Sequence, residues 1–359
     1  MGTSEAVVDM KVLLVSPLPP PKGGIATWTE RFVEYSKQSN LVCEVVNTAV
    51  TGKRAVSFSS QKKLLSEAVR TLRILKDYRT KLRYFAPDII HINTSCSPMG
   101  LIRDFLCMTL TPRNKKTVLH CHCTIEDQLT GGSWGKTVFS KAVQRADKVF
   151  VLNDASVQFV REVSEMEAIK LPNYINSDYV RSDEKPINDV IKRLVYTGHI
   201  IHSKGIDEII SAAKRLPEKL FILAGIVSDE YNGCKLPINV VMTGNLSASE
   251  VREQLDMADV FLFPSYTEGF SNSLAEAMAR GLPVITTKVG ANVDMLEEQG
   301  GVYVPVGNAE AIVEAINYLE TPKIRREMSK WNIEKVKSSY CIESVMQRLV
   351  ELYEDVIEQ

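Results

Sequence analysis

Two carboxylates, Glu268 and Glu276, flank Gly269 in the run Val260-Phe-Leu-Phe-Pro-Ser-Tyr-Thr-Glu-Gly-Phe-Ser-Asn-Ser-Leu-Ala-Glu-Ala-Met-Ala-Arg-Gly-Leu-Pro-Val-Ile285. The pattern reads as a strand, a glycine-containing loop, a helix, a glycine stop and the next strand. A carboxylate accepts two hydrogen bonds side by side, which suits the vicinal hydroxyls of a ribose or a hexose. Gly269 lets the backbone approach a ligand closely, and the helix that follows offers unpaired N–H groups to a phosphate. Taken singly, Glu268 could serve only the helix dipole and Glu276 could be a plain surface residue.

A second chemical cluster is Leu119-His-Cys-His-Cys123, at the end of a strand pattern. His120 and His122 could each be a structural donor, and the flanking cysteines invite a zinc reading. Side chains alternate across a strand, so neighbouring positions of this run cannot converge on one ion, and no metal site is expected. Gly131-Gly-Ser-Trp-Gly-Lys-Thr137 resembles a phosphate loop, but Gly131 stands one residue too close to Gly135 and no strand leads into it. It reads better as a flexible loop. No G-x-G-x-x-G follows any strand pattern, so the dinucleotide fingerprint is missing.

Alternating short apolar runs and longer helical patterns must position these residues. Strands are expected at Val12–Ser16, Val42–Asn47, Asp88–Asn93, Thr117–His122 and Lys148–Asn153, with helices including Ile25–Gln38, Met99–Leu110 and Gly135–Ala146. After a polar stretch, Leu171–Asp189, the alternation resumes. Strands are expected at Arg193–Gly198, Lys219–Ala224, Asn239–Thr243, Val260–Pro264, Pro283–Thr286 and Val302–Val304. The helices between and after them are Gly205–Arg215, Ala248–Met257, Asn272–Arg280, Ala309–Glu320, Lys323–Ser338 and Ile342–Glu358. Such alternation predicts parallel sheets covered on both faces, in two doubly wound domains facing across a cleft. The expected division is residues 1–182, residues 183–340, and a C-terminal helix at 341–359 that packs back on the first domain.

The 359 residues carry a net charge of −1, with 45% hydrophobic and 24% charged residues, which excludes a disordered or fibrous chain. That near-neutrality hides an asymmetry: residues 1–182 hold 25 Lys and Arg against 17 Asp and Glu, and the remainder is correspondingly acidic. Between Gln61 and Arg83 lie Lys62, Lys63, Arg70, Arg73, Lys76, Arg79, Lys81 and Arg83, against Glu67 and Asp77. Leu64, Leu65, Ala68, Leu72, Leu75 and Leu82 recur there at helical spacing. The segment reads as a basic amphipathic helix, either a solvated face or a patch for an anionic membrane surface. Nucleic acid is not expected as a partner, because no aromatic residue is interleaved before Tyr78 and Tyr84. Leu101–Leu110 carries Arg103 and Asp104 and is no membrane span. Met1–Val8 has neither the basic nor the apolar region of a secretory signal, and seven unpatterned cysteines fit a reducing compartment. The expected location is cytoplasmic, peripheral on the inner membrane face.

The ordered set of motifs resembles the retaining family 4 glycosyltransferases (glycosyl transferases group 1), which have the GT-B fold. The Glu-x7-Glu element with Glu276-Ala-Met-Ala-Arg-Gly-Leu-Pro-Val-Ile285 is similar to that family's donor signature. Gly23-Gly24 is similar to its early glycine pair, Leu171-Pro-Asn-Tyr-Ile-Asn176 to its interdomain element, and Thr197-Gly-His-Ile-Ile-His-Ser-Lys-Gly-Ile206 to its Gly-Arg-x4-Lys-Gly stretch. The resemblance implies that Lys204 binds the donor diphosphate, Glu276 the ribose and Glu268 the transferred sugar. It implies backbone N–H groups from Gly269, Phe270 and Ser271, base contacts from Asn245 and Leu246, and a role for His122 at the sugar or the reacting centre. His199 stands where the family has an arginine, which weakens the diphosphate clamp, and Cys123 replaces a glycine. The implied activity is metal-independent, retaining transfer from a nucleotide-diphosphate sugar, UDP-sugar favoured, with no cofactor and largely electrostatic catalysis by Lys204, helix N–H groups and the Gly23-Gly24 loop. With the basic helix, the implied acceptor is a saccharide or a polyprenyl-diphosphate-linked saccharide of bacterial surface polysaccharide assembly. The alternatives are a GT-B nucleotide-sugar epimerase and a non-catalytic nucleotide-sugar-binding subunit.

Overall fold

The computed structural model describes residues 10–20, 23–49, 60–129 and 133–359, with the backbone alone for 60–65. The expected basic positions Lys62 and Lys63 therefore have no described side chains, and Gly131 and Gly132 lie outside the described residues.

Among the described residues, twelve strands build two six-stranded, wholly parallel sheets. The first holds β1 (Met10–Ser16), β2 (Leu41–Asn47), β3 (Ile89–Thr94), β4 (Lys116–Cys121), β5 (Lys148–Val151) and β6 (Ile169–Lys170), in the order β2-β1-β3-β4-β5-β6. The second holds β7 (Arg193–Thr197), β8 (Leu220–Ala224), β9 (Val240–Gly244), β10 (Val260–Phe263), β11 (Val284–Thr287) and β12 (Gly301–Val304), in the order β12-β11-β10-β7-β8-β9. Central strands read as continuous apolar runs because both faces are covered: Val12–Val15 and Val260–Phe263 are all buried. Each sheet has its own core, one around Leu13, Ile90, Leu119 and Phe139, the other around Val195, Phe221, Phe261 and Ile285. Both are Rossmann-like.

In each sheet the strand order reverses at one point, between β1 and β3 in the first and between β7 and β10 in the second. Doubly wound sheets bind ligands outside the carboxyl ends of the strands at that switch point, because the helices there diverge to opposite faces. The residues following β1, β3 and β4 and those following β7 and β10 therefore occupy the places to inspect.

The chain divides into a unit of Met1–Leu171 with Arg348–Gln359 and a unit of Pro172–Gln347. The division falls earlier than the expected 182. The polar stretch after Leu171 is not a loose connection, because it is bonded to the second unit's own helices. Arg181 reaches Asp256 at 3.1 Å, the Lys185 amine donates to the carbonyls of Leu255 and Asp256, and Arg325 donates to Asn188 O. The end of the C-terminal helix, Ile342–Glu358, belongs to the first unit, where Tyr353 is fully buried.

Three local differences from the sequence reading have simple causes. β5 stops at Val151 because Asn153 caps a helix, Asp154–Ser164, that the pattern did not mark; its side chain accepts from Ser156 N at 2.9 Å. Ser133–Val143 is helical, so the part of the glycine-rich run from Ser133 to Thr137 is not a loop. The basic helix, Ser60–Tyr84, buries Ile74 and Tyr78 and leaves Leu72 67% exposed, so its inward stripe is offset from the predicted one.

Candidate active site

The second sheet's switch point is built by two glycines and one proline. After β7, Gly198 and Ile200 lead to a single turn, His202–Lys204, which Gly205 ends in the left-handed region at φ +73°. A Cβ on Gly205 would lie 2.2 Å from the Pro264 carbonyl oxygen, so the loop after β7 presses directly on the loop after β10. A backbone bond from Tyr266 N to Ser203 O, 2.9 Å, clamps the two loops together. Lys204 is thereby delivered to Glu268: Nζ donates to Oε1 at 2.5 Å. Glu268 is 8% exposed and Lys204 is half-buried. The loop after β11 joins them through Ala291 N donating to Gly269 O at 3.1 Å.

The other residues expected on the donor side follow strands of the same sheet. Ser271 caps the helix Asn272–Ala279, its hydroxyl accepting from Leu274 N and keeping its own proton to donate. The Phe270 ring packs edge-on to Tyr340 at 5.5 Å and serves the core. Glu276 sits half-buried about one turn from the start of that helix. Asn245, exposed, and Leu246, half-buried, follow β9 at the sheet edge, after Gly244 in the left-handed region.

His199, expected in place of the arginine, has an exposed side chain; its carbonyl accepts from the Tyr196 hydroxyl at 2.7 Å. The histidine that is held is one the motif reading passed over. His202 Nδ1 lies 2.6 Å from Asp207 Oδ2, and this bond raises its pKa above the usual histidine value. The signal was the five-residue spacing from His202 to Asp207 across a turn and the first turn of a helix.

The first sheet's switch point carries Gly23, Gly24 and His122. Gly23 caps the helix Gly24–Ser36 in an extended conformation, and a Cβ added to either glycine would meet nothing within 4 Å. The fold itself therefore makes no steric demand for glycine at these two exposed positions. His122 follows β4, and its Nε2 lies 2.8 Å from Asn93 Oδ1 at the end of β3. Asn93 Nδ2 in turn donates to Ser16 Oγ, at the end of β1, at 2.9 Å.

A buried imidazole cluster backs His122. His120 lies 4.0 Å away, ring centre to ring centre, and His91 lies 5.3 Å beyond it. His91 Nδ1 is hydrogen-bonded to the Tyr353 hydroxyl, and Trp28 packs on all three rings. Burial lowers the pKa of His91 to about 3 and takes His120 well below its usual value, helped in each case by the nearby His122. Sequence reasoning missed Asn93, His91 and Tyr353. The available signal was the polar period-2 pattern His91-x-Asn93 beside His120-x-His122, which register pairs Asn93 with His120.

The cysteines of the same strand end face the other way. Cys121 and Cys123 are buried with Cys96; hydrogen bonding to Cys121, then burial, pushes the Cys96 thiol well above the ordinary value, and hydrogen bonding to Cys96, then burial, does the same for Cys123. Alternation thus separates the histidines from the cysteines. Among the described residues no group of three or more His, Cys, Asp or Glu could hold a metal ion.

Residues 181–336 match the family model described as glycosyl transferases group 1. The second unit carries a glycosyl transferases group 1 domain. A putative teichuronic acid biosynthesis glycosyltransferase of Bacillus subtilis is 27% identical over 198 residues, 52% of this chain and 50% of that protein. The chain spans about half the length of the curated relatives it matches. The fold matches sucrose-phosphate synthase from Thermosynechococcus elongatus at a TM-score of 0.78 and 17% identity, over 97% of this chain and 99% of that one. It matches an Anabaena protein solved with UDP and glucose at 0.69 and 15% identity, over 96% and 99% of the two chains. The architecture is GT-B, two Rossmann-like domains.

The basic helix is also sorted by the structure. Arg70 donates to the Thr48 carbonyl at 3.0 Å and Lys81 to the Val45 carbonyl at 2.7 Å, so both are spent on β2, an edge strand, and its continuation. Arg70 is also paired with Glu67, and Lys81 with Asp77. Arg73, Lys76, Arg79 and Arg83 are exposed, and Val69, Leu72 and Tyr84 share their side of the helix. Tyr78 is buried against Thr111 and offers no stacking surface. No described helix is long and apolar enough to cross a membrane; Arg103 and Asp104 pair with each other inside the first unit at 2.7 Å.

Proposed function

We propose that this chain is a retaining glycosyltransferase that moves a sugar from a nucleotide-diphosphate sugar, UDP-sugar favoured, to a saccharide or lipid-linked saccharide acceptor of bacterial surface polysaccharide assembly. The observation that carries the reading is the Lys204–Glu268 pair at the switch point of the group 1 domain. A lysine suits a diphosphate as a point charge, and a buried carboxylate suits sugar hydroxyls. On this reading the base falls to Asn245 and Leu246 after β9, the diphosphate to Lys204 after β7, the sugar to Glu268 and Gly269 after β10, and the ribose to Glu276 on the next helix; the strand order β10-β7-β8-β9 is compatible with it. UDP is favoured because the Anabaena neighbour was solved with it.

Bond breaking at the anomeric carbon leaves negative charge on the diphosphate. Lys204 and the N–H groups at the start of Asn272–Ala279 are fixed in place before that charge develops, so they stabilise it without reorganisation. The incoming hydroxyl attacks on the face the diphosphate leaves and gives up its proton there, which retains the configuration. This chemistry needs no resident metal or cofactor. The exposed face of Ser60–Tyr84, basic with apolar Leu72 at its centre, holds the protein on the anionic cytoplasmic leaflet where a polyprenyl-linked acceptor resides.

Thermal unfolding with UDP, GDP, ADP and CMP tests the donor site. Binding to the folded state alone, at ~100-fold over Kd, adds about 2.7 kcal/mol. One nucleotide is expected to stabilise the wild type and not Glu276→Ala; a flat response to all four would sink the donor site. Transfer of labelled sugar to an acceptor, with no turnover of donor alone to an epimer, then separates transferase from epimerase and from a non-catalytic subunit.

A further inference from the structure

We propose that Asn93 is a positioning residue for His122, fixing which nitrogen of that ring carries the proton and tying the ring to the first turn of the helix that begins at Gly24. The inference rests on the glycosyl-transfer reading for its consequence, but its geometry stands on hydrogen bonds within the first unit alone.

The bonds form one chain with a single direction. The Thr29 hydroxyl donates its proton to the Ile25 carbonyl at 2.9 Å. Ser16 Oγ, 2.5 Å from Thr29 Oγ1, must therefore be the donor of that pair. Having given its proton to Thr29, Ser16 accepts from Asn93 Nδ2 at 2.9 Å. That sets the Asn93 amide with Oδ1 toward His122, 2.8 Å from Nε2, and an amide oxygen can only accept. His122 Nε2 must then carry a hydrogen. In the neutral ring only one nitrogen does so, which makes Nδ1 the acceptor.

Burial makes the arrangement rigid. Ser16 and Thr29 are fully buried and Asn93 is 1% exposed, so none has water as an alternative partner. Asn93 and Ser16 meet because β1 and β3 are neighbours across the switch point, and the chain ends on the helix whose start is the Gly23-Gly24 loop. Neutral His122 so held can only accept at Nδ1, never donate there. Among the described residues, the titratable rings packed on its side are His120, at 4.0 Å between ring centres, then His91 with Tyr353 behind it; Trp28 lies 5.3 Å away.

The test is histidine-labelled nitrogen NMR on the full chain, with the His122 signal assigned from His122→Gln, together with transfer kinetics. The wild type is expected to show His122 as the Nε2–H form. Asn93→Ala should shift it toward the other tautomer or a mixture. Asn93→Asp, which keeps an oxygen acceptor and adds charge, should keep Nε2–H and hold the ring protonated to higher pH. In kinetics, Asn93→Ala should lower kcat at least tenfold with donor KM changed less than twofold, and should add nothing to His122→Gln. Where Asn93→Ala fails to fold, the Asn93→Asp protonation shift decides. A wild-type His122 in the Nδ1–H form, an unaltered tautomer in Asn93→Ala, or a loss that adds to that of His122→Gln would overturn the inference while leaving sugar transfer intact. A wild type that transfers no sugar from any nucleotide sugar overturns the functional reading instead, and with it the positioning role, whatever tautomer NMR shows.

Discussion

Lys204 Nζ donates to Glu268 Oε1 at 2.5 Å, joining the loops that follow β7 and β10 at the point where the second sheet reverses its strand order. The pair holds opposite charges where a diphosphate sugar would bring the matching ones. On the proposed function, a phosphate arriving at Lys204 would replace the carboxylate as its partner, and a sugar hydroxyl would replace the ammonium as a donor to Glu268. The pairing itself keeps a nearly buried carboxylate compensated.

Lys204→Ala should lower kcat by about 100- to 1,000-fold, the loss typical when one preorganised group that stabilises developing charge is removed. Lys204→Arg should restore little, because Nζ occupies a tight, half-buried place beside Glu268. Steady-state kinetics with the nucleotide sugar identified by thermal shift would check both; an activity within threefold of wild type in Lys204→Ala would exclude the electrostatic role.

The glycines separate into two kinds that one experiment can tell apart. Gly205→Ala places a methyl 2.2 Å from the Pro264 oxygen in a left-handed conformation, so it should destabilise the second unit by about 2 kcal/mol or more. Gly23→Ala and Gly24→Ala meet nothing within 4 Å and should leave Tm within a degree or two, yet lower transfer. Calorimetry beside kinetics gives the answer. Equal loss of stability in both sets would remove the argument that a ligand, not the fold, asks for glycine at 23 and 24.

How much of this was legible in the sequence depended on how far each relationship reaches along the chain. The run Val260–Ile285 is local: strand, turn, capped helix and glycine stop are written in consecutive residues, and Ala248–Met257 and Ile342–Glu358 came out at their full extent for the same reason. Lys204 and Glu268 were both named, but their pairing needed the β7–β10 adjacency. Asn93 was invisible because its partners, Ser16 and His122, are 77 and 29 positions away and meet only through strand register. Leu72 was misplaced because helical spacing defines stripes without saying which one faces the sheet. The polar stretch after Leu171 showed only as a break in the alternation, yet Arg181 and Lys185 turn that polarity into bonds with helix ends.

The imidazole cluster makes the first unit sensitive to acid. His91, at about 3, and His120, well below the usual value, stay neutral in the folded state but titrate near 6.5 once unfolded. Above that value neither state binds a proton and stability is unaffected. As pH falls below about 6.5, only the unfolded chain takes up protons, so stability drops, by roughly 1.4 kcal/mol per pH unit for each fully protected histidine. Hydrogen exchange of β3 and β4 amides from pH 7.5 to 5 should show this decline, and His91→Gln should lessen its slope, leaving the share of His120. A decline of the same slope in His91→Gln would assign it to other groups.

The last prediction concerns the basic helix, where the structure changes which residues to test. Arg70 and Lys81 hold carbonyls at and beside the edge strand β2, so Arg70→Gln and Lys81→Gln should lower stability and leave membrane affinity unchanged. Arg73, Lys76, Arg79 and Arg83 face solvent alongside Leu72 and Tyr84. At about 1 kcal/mol for each basic residue near an anionic surface, replacing all four by Gln should weaken vesicle binding by about 1,000-fold. Co-sedimentation with anionic and with neutral vesicles, repeated across a salt series, separates the outcomes. Binding by the wild type should require anionic lipid and fall with salt, because exposed charges are screened over about a Debye length. Binding that survives the fourfold replacement would mean that Leu72 and Tyr84, or another face altogether, hold the protein to lipid. Wild-type protein that stays in the supernatant with anionic vesicles would remove the membrane from the proposed acceptor route and leave a soluble saccharide as the substrate to pursue.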